Sequence, residues 1–131
     1  MSISGLNHYT IRCVPGDLPE IVAFYTKVLR LTPGERPTMP RPGHWLYNDG
    51  QPIVHLYASL DARVDGPTGA LDHISFRTHG LAETRAHLKG QGIAYDEFPL
   101  PGTDIHQVFV RDPMGLKIEL TFDLAEEKSH G

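Results

Sequence analysis

The chain has 131 residues, a formal net charge of −4 and one cysteine. This length suits one compact domain, or two small halves that share a core. The acidic balance and the lack of Lys/Arg runs exclude a nucleic-acid-binding surface, and no apolar stretch reaches the roughly 20 residues of a membrane helix. A lone Cys13 excludes an internal disulfide and a Cys-rich zinc site. Because no signal-peptide pattern is present either, we expect a cytoplasmic protein.

The first predicted elements are a strand and a helix. Residues 6–14 alternate between polar and apolar types as a half-buried strand does. Asp17 precedes Glu20 by three residues, a capping-box spacing that predicts the start of a helix. The run Thr-Pro-Gly at 32–34 predicts its end. Helical spacing gives this segment an apolar stripe made of Leu18, Ile21, Val22, Tyr25, Val28 and Leu29.

A proline-rich loop and a hairpin follow the helix. Residues 35–44 contain three prolines, and we expect this loop to shape specificity, since loops vary while the scaffold holds the functional groups. The run "HWLYNDGQPIVHLY" predicts a hairpin. Its Asp49-Gly50 pair favours a tight turn because both residues tolerate positive φ.

After a polar connector the same order of elements returns. The second hairpin contains Asp112-Pro113-Met114-Gly115, in which Pro and Gly take the positions that a type I turn favours. The charged end of the chain predicts a frayed tail. The predicted elements of this half are a strand at 70–78, a helix at 81–89, a short strand at 93–98 and hairpin strands within 105–122.

Two stretches near the starts of the halves repeat each other. "LNHYTIRC" begins at Leu6 and "LDHISFRT" begins at Leu71, and each has histidine in third place. Self-similarity at half the chain length predicts a fold made of two equivalent modules. Neither module is large enough to bury its sheet alone. We therefore expect an α+β fold of two βαβββ modules related by a pseudo-twofold, with module one at about 4–58, a linker at 59–69, module two at about 70–123 and the tail at 124–131.

The repeat also aligns residues that carry chemistry. His8 and His73 take equivalent places in equivalent strands, and alignment of the two hairpins puts His55 near Glu119. Equivalent positions on inner faces can converge at a pseudo-twofold axis. Two or three imidazoles and one carboxylate would then form a ligand set suited to Zn, Fe, Ni, Mn or Co.

The sequence resembles the vicinal oxygen chelate superfamily along nearly its whole length. The stretches that carry the resemblance are "LNHYTIR", "VAFYTKVLRL", "LDHISFR" and "VFVRDPMGLKIEL". The resemblance implies a curved-sheet cleft and one divalent metal bound by His8, His73 and Glu119. Many members of the superfamily carry a fourth ligand, often Glu or Gln, where this chain has His55. His55 is therefore either a ligand or an acid/base beside the metal.

The resemblance also implies a set of possible functions. The first is a glyoxalase-I-like lyase or isomerase that acts on a small substrate chelated through vicinal oxygens. An Fe(II)-dependent extradiol-type dioxygenase and a fosfomycin-type transferase fit the same ligands. A non-catalytic binding protein of the bleomycin-resistance type is disfavoured, since such proteins typically lack the metal ligands. A homodimer is implied, with the modules paired within one chain or between two.

Several other side chains are candidates for substrate binding. Arg12 and Arg77 share the ligand face of their strands, and each either clamps an anionic group or forms a salt bridge at the strand end. Trp45 and Phe109 either line a pocket or pack in the core. The remaining candidates are Tyr57, a second-shell group in the dioxygenase interpretation, and His106, at the start of a hairpin strand.

Overall fold

The computed structural model describes residues 1–64 and 68–130. Residues 65–67 of the predicted linker and residue 131 of the predicted tail lie outside this part. The chain divides into two compact units, Met1–Asp65 and Gly66–Gly131, so the division falls within the predicted linker.

Unit 1 contains one four-stranded sheet and one helical segment. The strand order is β1-β4-β3-β2; β1 runs parallel to β4, and the other neighbours are antiparallel. A bulge lies between Leu46 and Tyr47. The elements are β1 (Tyr9–Arg12), α1 (Leu18–Ala23), β2 (Thr32–Gly34), β3 (Gly43–Asn48) and β4 (Gln51–Tyr57).

Unit 2 repeats this topology. Its strand order is β5-β8-β7-β6, again with one parallel pair and two antiparallel pairs. The α+β class with two βαβββ modules is therefore confirmed. The elements are β5 (His73–Arg77), α2 (Leu81–Gly90), β6 (Asp96–Pro99), β7 (Ile105–Arg111), β8 (Lys117–Asp123) and a terminal helix, α3 (Leu124–His130).

The closing strand of each unit separates a core face from a polar face. In β4, Val54 and Leu56 are buried while the side chains between them face the other way. In β8, Ile118 and Phe122 are fully buried, and the opposite face carries Glu119. The candidate ligands therefore lie on the face of each sheet opposite the apolar core. The most deeply buried apolar side chains include Ile21, Tyr25, Leu46, Leu88, Val108 and Val110.

The predicted capping box at Asp17 is wrong. Asp17 is at the helix start, but its backbone is already helical and its carboxylate makes no capping hydrogen bond. Both carboxylate oxygens instead accept hydrogen bonds from the guanidinium of Arg63, at 2.8 and 2.6 Å. A single 3-10 turn precedes α1, and a π-helical turn, Phe24–Val28, follows it.

Two elements were not located from the sequence. Thr32–Gly34 forms the edge strand β2 rather than only ending the helix, because it pairs with β3. The expected frayed tail forms α3, whose first turn is capped by Asp123 through bonds from the amides of Ala125 and Glu126. Glu127 also accepts a bond from the Gly80 amide at 2.7 Å. No helix in the described part of the chain is long and apolar enough to cross a membrane.

The two hairpin turns use different devices. Asp49 and Gly50 both have positive φ, 52° and 77°, as the sequence predicted. The turn of unit 2 is organised by Asp112, which is only 4% exposed. Its Oδ1 accepts hydrogen bonds from the amides of Met114 and Leu116, each at 2.9 Å. The "RDPMG" stretch thus fixes the start of β8, which carries Glu119.

Candidate metal centre

The parallel strand pairs place the same positions side by side in each unit. In unit 1, Thr10 of β1 lies opposite His55 of β4. In unit 2, Ser75 of β5 lies opposite Glu119 of β8. His55 therefore occupies in unit 1 the position that Glu119 occupies in unit 2, as the hairpin alignment predicted.

The two histidines of the repeat make matching hydrogen bonds. Nδ1 of His8 is 2.8 Å from the amide oxygen of Asn7, and Nδ1 of His73 is 2.7 Å from a carboxylate oxygen of Asp72. Each acceptor oxygen requires a proton on Nδ1, so the neutral ring carries its lone pair on Nε2. This is the arrangement in which an outer partner fixes the tautomer of a metal-binding histidine.

His73 and Glu119 form the strongest pair of candidate donors. Nε2 of His73 lies 3.6 Å from Oε1 of Glu119. Two donors bound at about 2.1 Å to one tetrahedral ion lie about 3.4 Å apart. The separation in unit 2 therefore fits two ligands of one ion with little movement.

Glu119 is buried yet held as a carboxylate. Burial acts to raise its pKa, but hydrogen bonds from Ser75 and Thr121, the nearby His73 and a bond from Gln107 lower the pKa below its usual range. Ser75 donates to Oε2 at 2.6 Å, and Gln107 donates to Oε1 at 2.9 Å. The side chain is therefore anionic near neutral pH, as a metal ligand must be.

His55 has different surroundings. Its ring lies between the rings of His8 and Trp45, with centroid distances of 3.8 and 4.1 Å and interplanar angles of 12° and 10°. Nε2 bonds the carbonyl of Pro52 at 3.0 Å, which leaves the lone pair on Nδ1. Burial, then the neighbouring His8, lower its pKa, although the Pro52 bond opposes this and Arg36 adds a smaller lowering.

The stacked geometry bears on how His55 acts. A nitrogen lone pair lies in the plane of its ring, and the rings of His8 and His55 are parallel and separated. One ion cannot lie in both planes. In this conformation the stack disfavours His8 and His55 as two ligands of one ion.

Unit 1 also contains a cleft of about 260 Å³. Its walls include Trp45, Tyr57 and His55, and the loop that precedes β3 contributes Arg36 and Met39. The other lining residues are His8, Thr10 and Leu56. The loop expected to shape specificity thus reaches a cleft that contains a candidate ligand.

The arginines of the predicted set lie at strand ends. Arg12 is exposed and donates from Nε to the hydroxyl of Ser59 at 2.9 Å. Of the two alternatives for Arg12, the strand-end salt bridge is absent among the described residues. Arg77 is exposed at the end of β5.

The other two candidates lie in unit 2. The ring of Phe109 meets His73 edge-on at 5.9 Å and lies opposite Glu119 in the β7–β8 pair. His106 lies apart from these two, with Nε2 3.4 Å from a carboxylate oxygen of Glu97.

Some residues of the site were missed by sequence reasoning. A readable signal was the amide or acid directly before each histidine of the repeat. Ser75 had a weaker signal, since it lies two residues after His73 on the same strand face. Gln107 reaches the site through the hairpin register and Arg36 through the loop conformation, and the local sequence encodes neither. The missed residues are Asn7, Asp72, Ser75, Gln107 and Arg36.

The candidate ligands are of chemical types that bind divalent metals. Among the described residues, neither unit contains a cluster of three His, Cys, Asp or Glu side chains that could bind a metal ion. In unit 2, the imidazole of His73 and the carboxylate of Glu119 are donor types that borderline divalent ions bind.

Solved structures share the fold over nearly the whole chain. A fosfomycin resistance protein from Listeria monocytogenes is 19% identical, with 97% of this chain and 99% of that chain covered and a TM-score of 0.71. A mutant of that protein was solved with Mn(II) and 1S,2S-dihydroxypropylphosphonic acid. It is 17% identical, with 99% of this chain and 100% of that chain covered and a TM-score of 0.72. A lactoylglutathione lyase from Agrobacterium tumefaciens is 18% identical, with 93% of this chain and 96% of that chain covered and a TM-score of 0.67. At these identities the likeness shows the fold alone.

The family is shown by sequence. No curated protein matches the chain. Residues 5–120, however, match the family model described as the Glyoxalase/Bleomycin resistance protein/Dioxygenase superfamily. This range contains both histidines of the repeat, His55 and Glu119. The match spans most of the chain, and the protein therefore belongs to the Glyoxalase/Bleomycin resistance protein/Dioxygenase superfamily.

Proposed function

We propose that the protein is a metal-dependent enzyme of the glyoxalase I type, a lyase or isomerase for a small substrate held through two neighbouring oxygens. The observation that carries the proposal is the His73–Glu119 pair. Its donor atoms are 3.6 Å apart, and hydrogen bonds keep the carboxylate charged in a buried place. Burying a charge is costly unless the charge is hydrogen-bonded and paired, and a bound cation would supply the pairing charge.

The metal ligands in this proposal are His8, His73 and Glu119. They would hold one divalent ion, Zn, Ni, Co, Mn or Fe. Asn7 and Asp72 support the assignment because they hold the tautomers that leave Nε2 free. His8 comes from the same chain or from a second copy in a homodimer.

The residues around these donors have separate roles. A bound ion would supply Lewis-acid polarisation of a substrate oxygen. Gln107 and Ser75 hold Glu119 in place. His55 receives and returns the proton at Nδ1, because its Nε2–H is committed to Pro52 and it lines the cleft. Trp45 and Tyr57 provide the cleft walls against which the substrate carbon atoms pack.

The first test is metal analysis of untagged protein after reconstitution. We expect about one equivalent of divalent metal per chain. His73→Ala and Glu119→Ala each remove a donor, so the affinity falls at least about 100-fold, more than the 10–100-fold loss typical of an outer-shell change. His79→Ala is the matched control, since His79 is exposed beyond the end of β5, and it leaves the affinity unchanged. Metal binding that is unchanged in both ligand variants would contradict the site.

Activity assays then separate the reaction classes. The loaded protein is tested for isomerisation of a glutathione hemithioacetal, for transfer of a nucleophile to fosfomycin and for Fe(II)-dependent oxygen uptake with a catechol. We expect the first, and His55→Ala then lowers kcat while metal content stays near that of the wild type. Turnover only of fosfomycin or of catechol would move the function to transferase or dioxygenase. If the protein never binds metal, the function would instead be that of a non-catalytic binding protein.

A further inference from the structure

The cleft of unit 1 has an uneven charge. Its lining contains one permanently charged side chain, Arg36, and no carboxylate. The protein as a whole is acidic, with a net charge of −4, so a cleft without acidic groups is a local exception. Its volume of about 260 Å³ is slightly below the roughly 300–1,000 Å³ range of small-molecule sites, which suits a small ligand.

Arg36 lacks the partners that a guanidinium normally has. Nη2 donates to the carbonyl of Arg41 at 2.9 Å, and the guanidinium lies 5.9 Å from the ring centre of Tyr57. Nε is buried and has no hydrogen-bond partner in the described structure. No carboxylate of the described residues forms an ion pair with it, whereas Arg41 of the same loop pairs with Asp61 at 3.7 Å. Because no carboxylate of the described residues balances the charge of Arg36 in the cleft, an anion from outside the chain is the expected partner.

The surroundings hold the guanidinium in place. A Cβ on Gly43 would lie 2.9 Å from Nη2 of Arg36 and 2.1 Å from the carbonyl oxygen of Leu56. Glycine therefore lets the arginine pack directly against β3. The bond to Arg41 and the contact with Tyr57 restrict it further. A fixed planar fork of donors is suited to bidentate binding of an oxyanion.

We propose that Arg36 selects substrates with a carboxylate or phosphonate group, which it binds while the carbon part lies against Trp45 and Tyr57. This proposal rests on the proposed function, because it names the substrate class of the same enzyme. It does not depend on a bound metal, since the cleft and the arginine belong to unit 1 alone.

The test uses the fluorescence of Trp45, the single tryptophan of the chain. Chelator-treated protein is titrated with benzoate, with phenylphosphonate and with the neutral benzamide. We expect saturable changes with one or both anions and binding of benzamide weaker by about 10- to 100-fold, as for loss of a hydrogen-bonded charge. Binding of the anions also weakens as salt is added. Equal binding of benzoate, phenylphosphonate and benzamide by the wild type would overturn the proposal without any variant.

Two substitutions sharpen the result. Arg36→Gln lowers affinity for the bound anion by about 10- to 100-fold, and Arg36→Lys gives an intermediate loss because it keeps the charge but not the fork. Arg41→Gln is the control, since it removes the same charge from the same loop while its backbone carbonyl still accepts from Arg36. Anion binding that is equal in Arg36→Gln and the wild type would overturn the proposal. Arg36-dependent binding in metal-free protein supports it even if the metal assays fail.

Discussion

The two units place the same backbone positions around different side chains. His55 and Glu119 lie at equivalent points of the parallel strand pairs. Aromatic rings stack on His55, whereas Ser75 and Gln107 donate hydrogen bonds to Glu119. The repeat therefore decides where a functional group is placed, and the surrounding residues decide whether that group carries charge.

The antiparallel strand pairs show the same division. Trp45 lies opposite His55, and Phe109 lies opposite Glu119, so each candidate has an aromatic neighbour. Two residues before Trp45 and Phe109 on these strands, Gly43 of unit 1 is equivalent to Gln107 of unit 2. The glycine makes room for an arginine, and the glutamine binds the carboxylate. The same strand position thus leaves room for a cationic side chain in unit 1 and supplies a hydrogen-bond donor to a carboxylate in unit 2.

The largest expected difference between the units is in how much their hairpin turns contribute to the free energy of unfolding. Asp112→Ala removes the acceptor of two backbone amides in a buried turn, and we expect a loss of about 2–4 kcal/mol in the free energy of unfolding. Asp112→Asn keeps an oxygen acceptor and loses about half as much. Asp49→Asn in unit 1 changes stability by less than about 0.5 kcal/mol, since Asn also tolerates positive φ. Denaturant unfolding checks all three, and equal losses at both turns would refute the comparison.

The next difference is in the stability contributed by the hydroxyl groups of Ser75 and Thr10, which lie beside the closing strand of each unit. Ser75→Ala removes a donor from the Glu119 carboxylate and should cost about 2 kcal/mol in chelator-treated protein. Thr10, at the equivalent position of unit 1, has no charged hydrogen-bond partner among the described residues, so Thr10→Ala should change the free energy of unfolding by less than about 0.5 kcal/mol.

The cost of Ser75→Ala should also depend on pH. The pKa of Glu119 is lowered from its ordinary 4.5, so its stabilising contribution is full above that value and is lost as the pH falls through the folded-state pKa. The difference between Ser75→Ala and the wild type is therefore largest near neutral pH and shrinks in acid. Urea unfolding at about pH 7 and about pH 3 measures it, and a difference that grows in acid would show the sign to be wrong.

The smallest expected difference concerns the residues that precede the two histidines. Asp72→Ala should weaken metal binding about 10-fold, equivalent to about 1.4 kcal/mol, because the tautomer of His73 is no longer fixed. Asp72→Asn reproduces the pair found in unit 1 and should lose less. Asn7→Asp should slightly strengthen binding. Competition titration against a chromophoric chelator ranks the variants, and an unchanged affinity in Asp72→Ala would remove this residue from the site.

Local sequence was sufficient for much of the fold. Alternation over 6–14 and over β4 gave the correct strand faces, and the Asp49-Gly50 turn is formed as predicted. The error at Asp17 arose because its partner, Arg63, is 46 residues away and competes for the carboxylate. The prediction of a frayed tail rested on charged composition alone and did not use Asp123, which caps α3.

The sequence by itself determined the repeated topology, the polar face of each sheet and the family. Periodicity and motif spacing are local properties, so a single chain displays them without any structure. Tertiary structure decided the surroundings of each candidate: the ring stack on His55, the donors on Glu119 and the unpartnered Nε of Arg36. These depend on hairpin register and loop packing, which bring together residues distant in sequence, and the charge of a group follows from such neighbours.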